Sequence, residues 1–194
     1  MHFERLPPSA WVERWVPLIA PHSEVLDLAC GEGRHARYLA ARGHRVTALD
    51  RDRAALDALA GAARVETVCA DLEDGSPWPL AGRQFQGIVV ANYLHRPLFR
   101  HLIGALAPGG VLVYETFMAG NERFGKPSNP DFLLRPGELI EAFGGALTVV
   151  AFEQGAVMRP KPAVVQRLCA RKGSAVEVTL VEFQDFAPQR SCTP

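Results

Sequence analysis

The sequence predicts an α/β domain in which helices alternate with the strands of a mostly parallel, doubly wound sheet. Three times an apolar run ends in an acid, at Asp27, Asp50 and Asp71, and the order of strand, acid and helix recurs. Strands joined by a crossover helix lie parallel, so these acids are expected at one edge of the sheet. The 194 residues, 48% of them hydrophobic, suffice for a single domain with a sizeable core.

The domain is expected to span residues 23–173. Residues 1–22 form a helical lead-in, in which Ser9 caps a helix over 10–16. Trp11 and Trp15 fall on one face of that helix, which is typical of a core helix; the alternative is a lid over the site. Residues 174–194 form a C-terminal extension with one short alternating strand over 176–183 and a frayed tail.

Charge and cysteine usage exclude several classes of protein. Lys plus Arg and Asp plus Glu both number 21, so the net charge of zero creates no general attraction for nucleic acid or an anionic membrane. No apolar run approaches a membrane span, and the N-terminus has no apolar signal core. The cysteines are scattered without metal-ligand or disulfide spacing, which favours a reducing cytoplasm: Cys30, Cys69, Cys169 and Cys192.

A turn with two glycines, Gly31 and Gly33, joins the first strand (24–28) to a helix over 34–42. Glycines let a ligand approach the main chain, and the helix start offers free N–H donors. The spacing also fits the dinucleotide pattern G-x-G-x-x-A, with Asp50 about 20 residues further on. The acids Asp27 and Glu32 disfavour a pyrophosphate, however, and favour a cationic ligand such as S-adenosylmethionine.

At this turn the chain resembles the class I S-adenosylmethionine-dependent methyltransferases. Their first motif, acid-x-Gly-x-Gly-x-Gly, is met by residues 27–33, with Ala29 in place of the first glycine; we expect Ala29 to keep a negative φ. The resemblance implies a seven-stranded sheet with the cofactor at its carboxyl edge. It also implies the cofactor-binding residues, namely Asp27, Ala29, Gly31, Gly33, Asp50, Arg51, Asp71, Leu72 and Asn92.

Two of these acids have defined roles in the resembled family. Asp50, at the end of the second strand (45–50), matches the acid that accepts both ribose hydroxyls, and Asp71 matches the acid that binds the adenine amino group. Each acid also has a structural alternative. Asp50 could cap the next helix, over 52–62, and Asp71 could form a turn.

The end of the fourth strand is where the resembled family opens onto the methyl group. This strand begins at Phe85 and runs out into Tyr93 and His95, without the prolines of the enzymes that methylate exocyclic base amines. The catalytic candidates are His95, expected to act as a general base, and Tyr93, expected to form a wall of the site; the alternative is that His95 only caps the helix starting at Pro97. The substrate-binding candidates are Arg96, Glu115, Phe117, Lys126 and Arg135.

Beyond the fifth strand (111–117), residues 118–136 form a long segment rich in Gly, Asn and Pro, typical of a binding loop or lid. A helix over 137–143 and a hairpin of two strands, 146–152 and 163–171, follow.

The expected function is methyl transfer to a small-molecule acceptor, and the chain looks most like the tellurite-resistance and thiopurine type. The alternatives are an RNA or protein methyltransferase, a non-catalytic cofactor-binding subunit and an NAD-dependent oxidoreductase. No metal and no membrane partner are expected.

Overall fold

The structure, a computed structural model, describes residues 6–173. The predicted strand over 176–183, the tail and Cys192 lie outside the described residues. The helices are α1 (Ala10–Trp15), α2 (Arg34–Ala41), α3 (Arg53–Asp57), α4 (Phe99–Ala105) and α5 (Glu138–Phe143). The strands are β1 (Glu24–Leu28), β2 (Arg45–Asp50), β3 (Val65–Cys69), β4 (Phe85–Ala91), β5 (Leu106–Phe117), β6 (Thr148–Val157) and β7 (Ala163–Arg171).

The seven strands form one sheet in the order β3-β2-β1-β4-β5-β7-β6. The first five positions of this order are parallel, and β7 is antiparallel to both β5 and β6. The prediction of a mostly parallel, seven-stranded sheet is therefore confirmed. The strand order reverses at β1 and β4, so a crevice opens beside the carboxyl ends of these strands, where doubly wound sheets bind ligands.

Each face of the sheet carries its own apolar core. On β1, Leu26 and Leu28 belong to the cluster that packs against α4 and α5, whereas Val25 belongs to the cluster beneath α1 and α2. This division follows from the alternation of side chains along a strand. Asp27 shares its face with Val25, so its side chain lies on the α2 side of the sheet.

Helix α1 is a core helix. The Ser9 hydroxyl accepts a hydrogen bond from the Trp11 amide at 3.1 Å, as the predicted cap requires. Trp11 and Trp15 are 3% and 2% exposed and pack edge to face, with ring centroids 5.6 Å apart. The structure thus confirms the packing interpretation of this helix over that of a lid.

Three predicted boundaries were wrong. Helix α3 ends at Asp57, not at 62, because residues 58–61 form turns and Gly61 has a φ of 76°. Strand β5 begins at Leu106, since the glycine pair before 111 forms an irregularity inside the strand. Strand β6 extends to Val157, because it pairs with the whole length of β7.

No helix within residues 6–173 is long and apolar enough to cross a membrane.

Candidate active site

A cavity of about 140 Å³ lies at the carboxyl ends of β1, β2 and β3. Five of the nine predicted cofactor-binding residues line it, and Tyr93 closes it from the end of β4. Leu49 and Ala70, which the sequence did not single out, complete the wall. The lining residues are Ala29, Leu49, Asp50, Arg51, Ala70, Asp71, Leu72 and Tyr93. The wall combines apolar side chains with two carboxylates, the Arg51 guanidinium and Tyr93, a mixture typical of small-molecule sites.

The glycine turn borders this cavity, and its two glycines serve different purposes. Gly31 has a φ of 54°, and a Cβ added there would meet no atom within 4 Å. Gly33 has a φ of 75°, but a Cβ there would lie only 2.5 Å from Leu59 Cδ1. Gly33 is therefore required by packing against Leu59, whereas Gly31 leaves open space against the main chain for a ligand.

Asp50 ties this turn to β2. Its Oδ2 accepts a hydrogen bond from the Gly31 amide at 2.7 Å, and its Oδ1 accepts one from the Asp52 amide at 3.0 Å. The cap of α3 is Asp52, whose Oδ1 accepts from Ala54 and Ala55, so the interpretation of Asp50 as the helix cap was wrong. Each Asp50 oxygen retains a lone pair, so the carboxylate can still accept two ribose hydroxyls.

Asp71 lies across the cavity from the glycine turn. Its Oδ1 accepts from the Glu73 amide at 2.9 Å, so the predicted turn contact is present. Its Oδ2 lies 3.7 Å from an Arg51 nitrogen, and this ion pair is substantially exposed. Because exposed pairs contribute little, a ligand can displace Arg51 from Asp71 at small cost. The turn role and an adenine-binding role of Asp71 are therefore compatible.

Ala29, at the first position of the glycine motif, has a φ of 52°. The expectation of a negative φ was wrong: the turn requires the left-handed region here whether or not a glycine is present. A residue with a Cβ is strained in this region by about 1–2 kcal/mol. Asn92, after β4, is the other non-glycine candidate with positive φ, at 58°, and asparagine tolerates this region better.

Asp27 does not line the cavity. It is 1% exposed beneath α2, and neither carboxylate oxygen has a hydrogen-bond partner within the described chain. Burial raises the pKa of Asp27 to about 7, although the nearby Ala36 amide and Arg34 lower it in part. Asp27 can therefore act on a cationic ligand only through its field, and a nearby positive charge would favour its ionised form.

This buried acid predicts a pH-dependent stability. The pKa of Asp27 is about 7 in the folded state against 3.8 ordinarily, so ionisation penalises folding increasingly between pH 4 and 7. We expect Asp27→Asn to gain stability over the native protein as pH rises through this window, on the order of 2–4 kcal/mol by pH 7.5. Urea unfolding at pH 4.5, 6 and 7.5 measures the difference in free energy of unfolding between Asp27→Asn and the native protein, with Asp57→Asn on α3 as control. A difference that stays constant with pH would contradict a raised pKa of Asp27.

Tyr93 and His95 lie in the turn after β4. Burial raises the pKa of Tyr93, and the Glu73 carboxylate raises it further, so Tyr93 is neutral and can donate a hydrogen bond but cannot serve as a base. The Tyr93 carbonyl accepts from the Tyr114 hydroxyl at 2.9 Å, which fixes this turn. His95 occupies the cap position of the 3₁₀ turn Arg96–Leu98, but its side chain makes no cap hydrogen bond. The capping interpretation of His95 is thus not supported.

Two substrate-binding candidates hold the long segment in place. Arg96 binds Glu138 and the carbonyls of Asp131 and Leu133. Arg135 pairs with Glu138 and with Glu141, the latter at 3.0 Å. Both charges are therefore neutralised by carboxylates. The sequence could not reveal the partner of Arg96, because Glu138 lies 42 residues away.

The remaining three candidates are placed differently. Glu115 is buried on β5, where it accepts from the Ser9 hydroxyl at 2.7 Å and pairs with Arg167 at 2.5 Å. Phe117 is half-buried at the end of the same strand, and Lys126 is exposed in the long segment. The structure thus brings five of the nine cofactor-binding candidates to one cavity, and none of the five substrate-binding candidates lines it.

Comparisons with known proteins agree with this geometry. Residues 25–110 match the family described as a methyltransferase domain. TehB from Haemophilus influenzae is similar with a TM-score of 0.73 and 18% identity over 88% of this chain, which spans 64% of TehB. A TehB-like S-adenosylmethionine-dependent methyltransferase from Corynebacterium glutamicum is 23% identical, with a TM-score of 0.60 over 84% of this chain and 88% of that one.

The N-methyltransferase NodS from Bradyrhizobium japonicum, in complex with S-adenosyl-L-homocysteine, is 22% identical, with a TM-score of 0.63 over 88% of this chain and 92% of NodS. At these identities the structural matches establish the fold. No curated protein shows a significant match to the sequence.

The sheet order and the structural matches define a class I methyltransferase fold, with a cavity at the carboxyl ends of β1, β2 and β3. The family match extends from β1 to the start of β5, the part that builds this site. Residues 25–110 match a methyltransferase domain, which supports the prediction of an S-adenosylmethionine-dependent methyltransferase over the alternative of an NAD-dependent oxidoreductase. The residues present fit this cofactor, because Asp50 lines the cavity with lone pairs left to accept hydrogen bonds and the glycine turn beside it leaves open space at Gly31.

Proposed function

We propose that the protein transfers a methyl group to a small-molecule acceptor with a soft nucleophile, in the cytoplasm. The observation that carries this proposal is that Tyr93 lines the cofactor cavity, so the turn with His95 borders the point where a methyl group would be presented. The similarity to TehB and to a TehB-like methyltransferase supports a small acceptor. Cys30, Cys69 and Cys169 are unpaired, which fits a reducing compartment.

In the proposed mechanism the cofactor supplies an electrophilic methyl group on a sulfonium, whose departure as a neutral thioether requires no acid. The protein's own residues then position the acceptor and exclude water. Asp50 and Asp71 hold the nucleoside end, and Gly31 lets it lie against the main chain. Tyr93 lines the site, and its neutral hydroxyl can donate a hydrogen bond to a bound ligand. His95 accepts the proton of a thiol or hydroxyl acceptor as the general base of the reaction.

Methylation of RNA or protein is the alternative. A phosphate backbone is bound through unpaired cations; Arg96 and Arg135 are paired with carboxylates, whereas Arg100 and Lys126 are exposed, so the assay decides between the acceptors. The experiment is a transfer assay with radiolabelled S-adenosylmethionine on the isolated chain. Its acceptors are 2-mercaptoethanol, selenite, tellurite, a primary amine, bulk tRNA and a basic protein. Labelling of tRNA or protein alone would contradict the proposal, and cofactor binding without any transfer would favour a non-catalytic subunit.

His95→Ala tests the proton-accepting role. With 2-mercaptoethanol as acceptor, we expect kcat to fall by about 100-fold or more while cofactor affinity is kept, which is the magnitude of general-base catalysis. The matched control is His101→Ala on α4, because His101 stacks on Trp78 with ring centroids 5.4 Å apart and does not line the cavity. If kcat of His95→Ala holds and only KM rises, His95 binds the acceptor and the enzyme works by positioning alone.

A further inference from the structure

Arg96 follows His95 and hydrogen-bonds to two other parts of the chain. We infer that Arg96 is a positioning residue of the acceptor site, which fixes the segment 118–136 beside the end of β4. The effect of Arg96 on acceptor binding rests on the proposed function, whereas the effect of Arg96 on the segment 118–136 does not. The predicted role of Arg96, direct substrate binding, is replaced in this proposal by contacts within the protein.

The first set of contacts is with Glu138, at the start of α5. Arg96 Nε lies 2.5 Å from Glu138 Oε1, and Arg96 Nη2 lies 3.1 Å from Oε2, which is a bidentate pair. Glu138 is 5% exposed, and its Oε2 also accepts from the Arg135 amide at 2.7 Å. Burial alone would raise the pKa of Glu138, but the bonds from Arg96 and Arg135 outweigh it, and the pKa is lowered.

The second set of contacts is with the long segment itself. Arg96 Nη1 donates to the Asp131 carbonyl at 2.9 Å, and Nη2 donates to the Leu133 carbonyl at 3.0 Å. These two carbonyls flank Phe132, whose side chain is 48% exposed. Because Arg96 adjoins His95, the contacts hold Phe132 near the turn that carries the proposed base. A planar guanidinium can make all four bonds at once, and a lysine ammonium cannot.

The turn that carries Arg96 is itself fixed to the sheet. The Tyr114 hydroxyl holds the Tyr93 carbonyl, so the turn from 93 to 96 is anchored to β5. Leu134 is fully buried, and its amide donates to the Phe117 carbonyl at 3.0 Å. Arg96 therefore links the anchored turn, residues 93–96, to residues 131–133.

Limited trypsin digestion tests the proposal without any acceptor. Within 118–136 the basic residues are Arg123, Lys126 and Arg135, and the last two precede proline, where trypsin cuts poorly. Arg96 also precedes proline, so substituting it removes no good cleavage site. In Arg96→Ala, with S-adenosylhomocysteine bound, we expect cleavage after Arg123 to accelerate about tenfold or more, because cleavage follows the population of the opened segment. In Arg96→Lys, which keeps the positive charge but not the forked guanidinium, the rate of cleavage after Arg123 should lie between the rates of the native protein and of Arg96→Ala.

The control is Arg100→Ala, an exposed arginine of α4 for which residues 6–173 show no hydrogen bond or ion pair. An unchanged cleavage rate after Arg123 in Arg96→Ala overturns the proposal. A uniform acceleration at all tryptic sites with a lowered Tm also overturns it, since that is a purely structural role. A raised KM for 2-mercaptoethanol with kcat nearly kept supports positioning of the acceptor site. If the native protein methylates none of the small acceptors, the proposed acceptor class fails, and digestion still decides the role of Arg96.

Discussion

Gly31→Val is expected to abolish cofactor binding while the protein remains folded. The φ of Gly31 is 54°, and the space where its Cβ would stand contains no protein atom within 4 Å. A valine side chain would therefore not clash with the protein but would fill the space in which a ligand approaches the main chain. Its β-branched side chain also resists positive φ, which costs about 1–2 kcal/mol of stability.

The chain offers a matched control for this strain. Gly61, in the turn after α3, has a φ of 76°, and a Cβ at this position would also meet no atom within 4 Å, but Gly61 does not line the cavity. Gly31→Val and Gly61→Val should lose similar stability in urea unfolding, and only Gly31→Val should lose S-adenosylhomocysteine binding by calorimetry. Full binding by Gly31→Val would show that the turn is only structural.

Gly33→Val is not an equivalent test. A Cβ at Gly33 would lie within 2.7 Å of three atoms of Leu59, so this substitution should destabilise the packing of α2 and thereby lower binding indirectly. The sequence pattern treats the two glycines alike because it records spacing. Only the packing of Leu59, 26 positions away in the chain, separates a ligand-facing glycine from a core-facing one.

The strand ends were predictable from sequence, because their signals are local. Apolar runs that end in Asp27, Asp50 and Asp71 locate three carboxyl ends, and parallel pairing then brings them to one edge. The motif alone does not say which acids face the cavity. Asp27 is buried beneath α2, whereas Asp50 and Asp71 line the cavity, and this difference depends on the position of each residue in its strand.

The acceptor side was less predictable, since its contacts are long-range. Arg96 and Glu115 were singled out as charged residues near the carboxyl edge, but their partners Glu138 and Arg167 lie 42 and 52 positions away. A charged residue that is paired with a buried carboxylate looks the same in sequence as one that faces a ligand. Glu138 would have been recognisable only as a helix-start acid.

Asp50→Ala is expected to weaken binding of S-adenosylmethionine by about 2–3 kcal/mol, or roughly 30- to 150-fold, because two charge-assisted hydrogen bonds to the ribose are lost. The substitution also removes the acceptor of the Gly31 amide, so the turn itself loosens. Asp50→Asn should be impaired too, since its amide group would face one of the two backbone N–H donors that the carboxylate now accepts.

The control for Asp50→Ala is Asp52→Ala, two residues further along the chain. Asp52 caps α3 through its bonds to Ala54 and Ala55, so its loss should cost about 1 kcal/mol of stability and leave cofactor affinity nearly unchanged. Calorimetry on both variants should show that cofactor affinity falls mainly in Asp50→Ala. Urea unfolding should show the loss of stability from the missing helix cap only in Asp52→Ala. Unchanged affinity in Asp50→Ala would leave Asp50 only the role of tying Gly31 to β2, because the ribose would then have to be held by other residues.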